Sequence, residues 1–134
     1  MSASNNTETD VLDALLRGLD PAYRAGATQY IALFTADPTE TASLSNEATY
    51  TGYARVAITK SSAWTGTSSP FTNANLIQFA QCTAGTNAIT HFAVVDTASG
   101  AVSMMISGAL SATLNVSAGI QPQFSAGALS VSAD

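Results

Sequence analysis

His91 is the one histidine of this 134-residue chain and Cys82 its one cysteine, so the acid–base and nucleophilic chemistry open to it is narrow. General acid–base catalysis at neutral pH needs titratable groups gathered in one pocket. From Ser61 onward the chain supplies only His91, Asp96, Cys82 and Asp134 for that purpose. On a strand over 88–96, His91 shares a face with Ile89, Ala93 and Val95, while Asp96 points the other way with Phe92 and Val94. The two cannot touch there, and His91 reads as a half-buried ring bonded to a backbone carbonyl. Serines abound, but no Gly-x-Ser-x-Gly elbow places one as a nucleophile. Asp96-Thr97-Ala98-Ser99-Gly100 differs from the Asp-Thr-Gly loop of aspartic proteases by two intervening residues and reads as a turn, in which Asp and Ser bond their own backbone.

Metal and cofactor chemistry has as little to work with. One histidine cannot anchor a transition-metal site, and one cysteine forms neither an intrachain disulfide nor a cysteine zinc site. Acidic residues occur singly, without an Asp-x-Asp-x-Asp-Gly calcium loop, and Gly-x-Gly-x-x-Gly is absent. Cys82 reads as a small buried thiol. The expectation is no catalytic residue, no metal and no cofactor.

Residues suited to contact are easier to find. Trp64 lies in the polar run Ser61–Pro70, either plugging the end of a sandwich or standing exposed as an interface anchor. Tyr50 and Tyr53 flank Gly52 beside Arg55, a grouping suited to stacking on sugars or to an inter-subunit contact. Met104 and Met105 are adjacent, so on a strand they face opposite ways and one of them can meet a partner. These six, Trp64, Tyr50, Tyr53, Arg55, Met104 and Met105, are the candidate partner-contact residues.

Charge narrows the partners. Only 13 residues are Asp, Glu, Lys or Arg, 10% against the usual ~25%, and between Ser61 and Ala133 the one formal charge is Asp96. Four basic residues against nine acidic ones offer no footprint for a phosphate backbone or an anionic membrane surface. A polar, weakly charged surface suits burial in an interface as well as it suits plain solvation. Apolar residues make up 46%, yet no window approaches the ~18 uninterrupted apolar residues of a bilayer-spanning helix. Residues 1–10 lack the basic and apolar regions of a signal peptide, so none is expected.

The elements that would carry these residues follow from periodicity. Val11, Leu12, Leu15, Leu16 and Leu19 make one apolar stripe on a helix over 7–19, capped by Thr7 or Thr9 and closed by Gly18 and Asp20-Pro21. About three turns are marginal alone, so that stripe should dock onto something. After the linker 21–27 the period changes to 2. Short β-branched and aromatic runs follow at 30–34, 53–60, 75–80, 88–96, 101–107, 110–116, 120–124 and 128–132. Thr97–Gly100 reads as a hairpin turn, Gly108 as a strand break, and Pro122 as an edge or bulge. About eight short strands after one helix predict a mainly β chain: a single domain over 1–134, with an arm, helix and linker over 1–27 and an antiparallel sandwich or jelly roll over 28–134.

Several runs match a known pattern in order and spacing: Val11–Arg17, Gln29–Pro38, Tyr50–Ala57, Thr90–Gly100, Ser107–Leu110 and Phe124–Leu129. Together they make the chain similar to a family of small tailed-bacteriophage virion proteins, variously labelled tail-fibre-like or head-decoration proteins. It departs from them at Ala101–Ile106, where such proteins tend to show Asn-Leu-Leu after the glycine. The resemblance implies a non-enzymatic β-sandwich, made in the host cytoplasm and assembled on the virion as a homo-oligomer in many copies. Its implied partners are the major capsid protein or other virion proteins. Capsid decoration is the first function it implies, with Met1–Asn6 as an arm across a neighbour. The alternative is a tail-fibre or receptor-binding module using Trp64, Tyr50 and Tyr53 to stack on sugars.

Overall fold

The computed structural model describes residues 2–132; Met1 of the expected arm and Asp134 lie outside the described residues. Strand β1 (Ser2–Ala3) leads directly into helix α1 (Asn5–Arg17), and a 3-10 turn (Ala22–Arg24) precedes β2 (Thr28–Phe34) and β3 (Val56–Thr59). Four short strands come next, β4 (Trp64–Thr65), β5 (Phe71–Asn73), β6 (Ile77–Gln78) and, after the long pair β7 (Asn87–Val95) and β8 (Met105–Val116), β9 (Gln123–Phe124); β10 (Ser130–Val131) ends the series. The pairing is antiparallel throughout. A five-stranded sheet runs β1-β8-β7-β2-β3, beside a three-stranded sheet β10-β5-β4 and a two-stranded sheet β6-β9.

Alternation along β2 and β7 explains why the larger sheet is buried on both faces. Ile31, Leu33, Phe92 and Val94 point to one side, where they meet Ile77, Phe79, Phe124 and Leu129 from the region of the smaller sheets. Ala32, Phe34, Ala93 and Val95 point to the other, where Tyr30, Ala42, Leu44 and Val102 cover them. Complete burial of Phe34, Phe79 and Phe92 contributes roughly 1.5–3 kcal/mol for each side chain.

Four sequence expectations change. The helix starts earlier than 7, because Ser4 is its N-cap and accepts from the Thr7 amide. The Thr7 hydroxyl is instead bonded to the backbone of Met105, accepting from its N–H at 3.0 Å. This follows from an unforeseen pairing: Ser2 and Ala3 lie opposite Ser107 and Ile106, so this part of the N-terminal arm forms an edge strand of the larger sheet. Second, Gly108 does not break a strand. It pairs with Phe92 inside a continuous β8, and the return strand begins only at Met105, leaving 96–104 as a nine-residue connection in place of a tight hairpin.

Third, the irregularity falls between Ile89 and His91, where β8 moves from Leu114 to Ala109 while β7 moves two residues. That shift turns Ile89 to the side of Phe92 and Val94, so it does not share a face with His91, Ala93 and Val95. His91 is half-buried, and its Nδ1 lies 2.8 Å from the Thr90 hydroxyl rather than on a backbone carbonyl. Fourth, Trp64–Thr65 forms a strand inside the polar run Ser61–Pro70, and Phe71–Asn73 forms another between the runs expected at 53–60 and 75–80. The strands expected at 53–60, 75–80, 120–124 and 128–132 are present in shortened form, the one at 30–34 extends back to Thr28, and Cys82 is buried.

Candidate functional site

Arg55 precedes β3, and its side chain, 3% exposed, turns inward onto Glu47. Nε donates to one carboxylate oxygen at 2.7 Å and Nη2 to the other at 2.9 Å. The remaining N–H groups donate to the Thr97 and Gly100 carbonyls, both at 3.0 Å. A buried guanidinium must satisfy its donors and its charge together, and this arrangement does both while tying down the β7–β8 connection. Hydrogen bonding to Glu47 raises the Arg55 pKa.

The Tyr53 hydroxyl joins the same node, donating to Glu47 Oε1 at 2.8 Å and accepting from the Leu33 amide at 3.1 Å. Burial pushes its pKa well above the ordinary tyrosine value. Tyr50 is 3% exposed, its hydroxyl donates to the Ala80 carbonyl, and its ring meets Tyr53 edge-on at 5.6 Å. Tyr53 in turn stacks at 6.3 Å on Phe79. Tyr50, Tyr53 and Arg55 therefore come together, but as an internal brace. Tyr50 presents no ring face to a sugar.

Met104 and Met105 face opposite sides of the sheet, one in each core cluster, and both are buried. Asp96 Oδ1 accepts from the amides of Ser103 and Met104, which closes the connection before β8. Trp64, half-buried, donates from Nε1 to Gln29 Oε1 at 3.3 Å. Its ring forms one wall of an open groove of about 340 Å3, with Phe71 and Val131 beside it and Val94, Met104 and Ile106 along the floor. Lys60 is the one charged residue in that lining.

The largest departure from expectation is α1. Its polar side, with Asn6, Thr9, Asp10 and Asp13, lines a cleft of about 410 Å3 shared with Pro21 and Ser103. Its apolar side faces solvent: Leu15 is 75% and Leu16 74% exposed, and Val11 and Leu12 are each close to half exposed, as is Leu19, which follows the Gly18 cap and edges the cleft. The stripe that should dock does not dock on its own chain. Together the five residues leave the equivalent of about three whole aliphatic side chains in water, and burying them would contribute roughly 5–9 kcal/mol. The stripe itself was legible from spacing. The groove was not, since Phe71, Ile106 and Val131 meet only through tertiary pairing and carry no local signal.

Among the described residues, no group of three or more His, Cys, Asp or Glu is placed to hold a metal ion, and no helix is long and apolar enough to cross a membrane. What the fold displays instead is aliphatic surface on an antiparallel β scaffold, the kind of surface structural proteins use to hold one another. The family model described as podophage GP4 fiber I protein gp80 matches residues 2–132. The chain belongs to that family, and is a structural protein of the phage virion with a mainly β fold. No curated protein matches it.

Proposed function

We propose that this chain is a non-enzymatic, single-domain building unit of a podophage fibre, held in the virion by burial of aliphatic surface against neighbouring subunits. The family match across residues 2–132 carries the reading, and the outward-facing stripe of α1 supplies a surface through which it can act. Binding that exists only in the assembled state stabilises that state by mass action, so such a protein needs complementary surface and no reacting groups. The charge-poor stretch from Ser61 to Ala133 also suits adhesion to a capsid lattice, which makes head decoration the second reading.

Quantitative mass spectrometry of purified particles separates the two. Copies numbering from a few to a few dozen per particle, with antibody label on fibres in negative stain, are expected for the fibre. Hundreds of copies spread over the head, together with a lower melting temperature of particles lacking the protein, would replace the fibre reading with decoration.

A further inference from the structure

Two unpartnered apolar surfaces lie on this one chain, and they fit each other in chemistry. On α1, Leu12, Leu15 and Leu16 stand at i, i+3 and i+4, the spacing with which an amphipathic helix anchors in a groove. The groove beside Trp64 is walled by aromatic and aliphatic side chains, and Phe71 within it is 38% exposed. Each surface carries one charge, and the signs are opposite. Glu8 is four residues before Leu12 and so lies on the same line of the helix, while Lys60, whose ammonium donates to the Tyr23 and Ala25 carbonyls and keeps its charge there, lines the groove.

We infer that the leucine stripe of α1 seats in the Trp64 groove of a second copy of this chain, joining copies head to tail. The chain's own helix does not fill its own groove, because its polar side faces Ser103 and its stripe is turned away. A lipid surface fits less well, since helices that lie on membranes carry Lys and Arg on the polar side, whereas the polar side of this one carries Asp10 and Asp13 against Arg17. Pairing of two stripes with each other would leave both grooves empty. A contact between two different patches repeats from copy to copy, closing into a ring or growing as a filament. The inference rests on the structural reading above for its use on the particle. Its test is made on purified protein and leaves the copy-number experiment independent.

The test is complementation between two variants of the full chain, each disabling one half of the contact. Leu15→Asp/Leu16→Asp spoils the stripe, and Phe71→Glu spoils the groove, with Val131→Arg as a second groove variant should Phe71→Glu alter the circular dichroism melt. Light scattering after size exclusion is run at about 100 μM, where a micromolar contact is saturated. The expected result is an oligomeric parent, two monomeric variants, and a 1:1 heterodimer when a stripe variant is mixed with a groove variant. A monomeric parent would overturn the inference. So would groove variants that stay oligomeric and form no heterodimer with the stripe variant, which would point to stripe-on-stripe pairing.

Discussion

Arg55 and Glu47 face each other fork to fork inside the protein, with nitrogen–oxygen distances of 2.7 and 2.9 Å. Through Arg55 the pair also reaches the carbonyls of Thr97 and Gly100, and through Glu47 it holds the hydroxyl of Tyr53. One charged contact thus fixes three separated stretches of chain around 47, 55 and 97–100. Its geometry explains why a charge-poor protein keeps an arginine out of water: the guanidinium holds the long β7–β8 connection in place.

Replacing Glu47 with alanine strands that guanidinium in the interior. The expected loss of stability is about 3–5 kcal/mol, measured by urea denaturation. A Glu47→Ala variant as stable as the parent would show that water takes over the role of the carboxylate.

Alkaline pH should act through Tyr53. Its pKa is raised above the ordinary 10.0, chiefly by burial, so the folded state holds the phenolic proton more tightly than the unfolded state. The resulting stability is fully present below pH 10 and is lost as pH rises through the folded pKa. Denaturant midpoints should be level with respect to this group up to about pH 10 and fall beyond it. In Tyr53→Phe that fall should be shallower, and an unchanged slope would assign it to other groups.

Gly52 has φ of 102°, and a β-carbon there would sit 2.7 Å from the Gln81 carbonyl oxygen. Gly52→Ala combines a backbone conformation unfavourable to other residues with a clash against main chain, and should cost on the order of 1–3 kcal/mol. Calorimetry checks this, with an unshifted melting temperature as the contrary result.

Asn73 is buried and bonds through its side chain to three backbone groups: it donates to the Asn75 and Ser125 carbonyls and accepts from the Leu129 amide, each at 2.9 Å. Asn73→Ala would take the acceptor from the Leu129 amide and a donor from the Asn75 carbonyl, the Ser125 carbonyl keeping the Ala128 amide, at a cost of about 1–3 kcal/mol. Amide exchange at Leu129 should quicken in step. Unaltered exchange there would mean the 125–129 segment is held by other contacts.

Single serine substitutions at Leu15 and Leu16 should change stability of the isolated chain by no more than about 0.5 kcal/mol, because both side chains already stand in water. A larger loss in dilute solution would show that the stripe packs against its own chain.

Strands that repeat with period 2 are readable from residue spacing alone, as β2, β7 and the far end of β8 illustrate. So is the helix, because a stripe at 11, 12, 15, 16 and 19 is a local property of the chain. The two- and three-residue strands β1, β4 and β5 escape such a reading, since a span so short has no period of its own. The contact candidates are half legible: Tyr50, Tyr53 and Arg55 do gather, yet their residue types could not say whether they gather inside or outside.

By itself, then, the sequence determined the class of the fold, the position of the helix, the poverty of charge and the scarcity of reacting groups. These depend on composition and on neighbours within a few positions. Only the tertiary structure decided that Ser2–Ala3 returns to β8, that Glu47 reaches Arg55, and that α1 turns its leucines to solvent. The physical reason is that amphipathic spacing records that a face is apolar but not what covers it. The covering surface is set by strand register and loop paths tens of residues away, and for α1 it is not supplied by the chain's own fold.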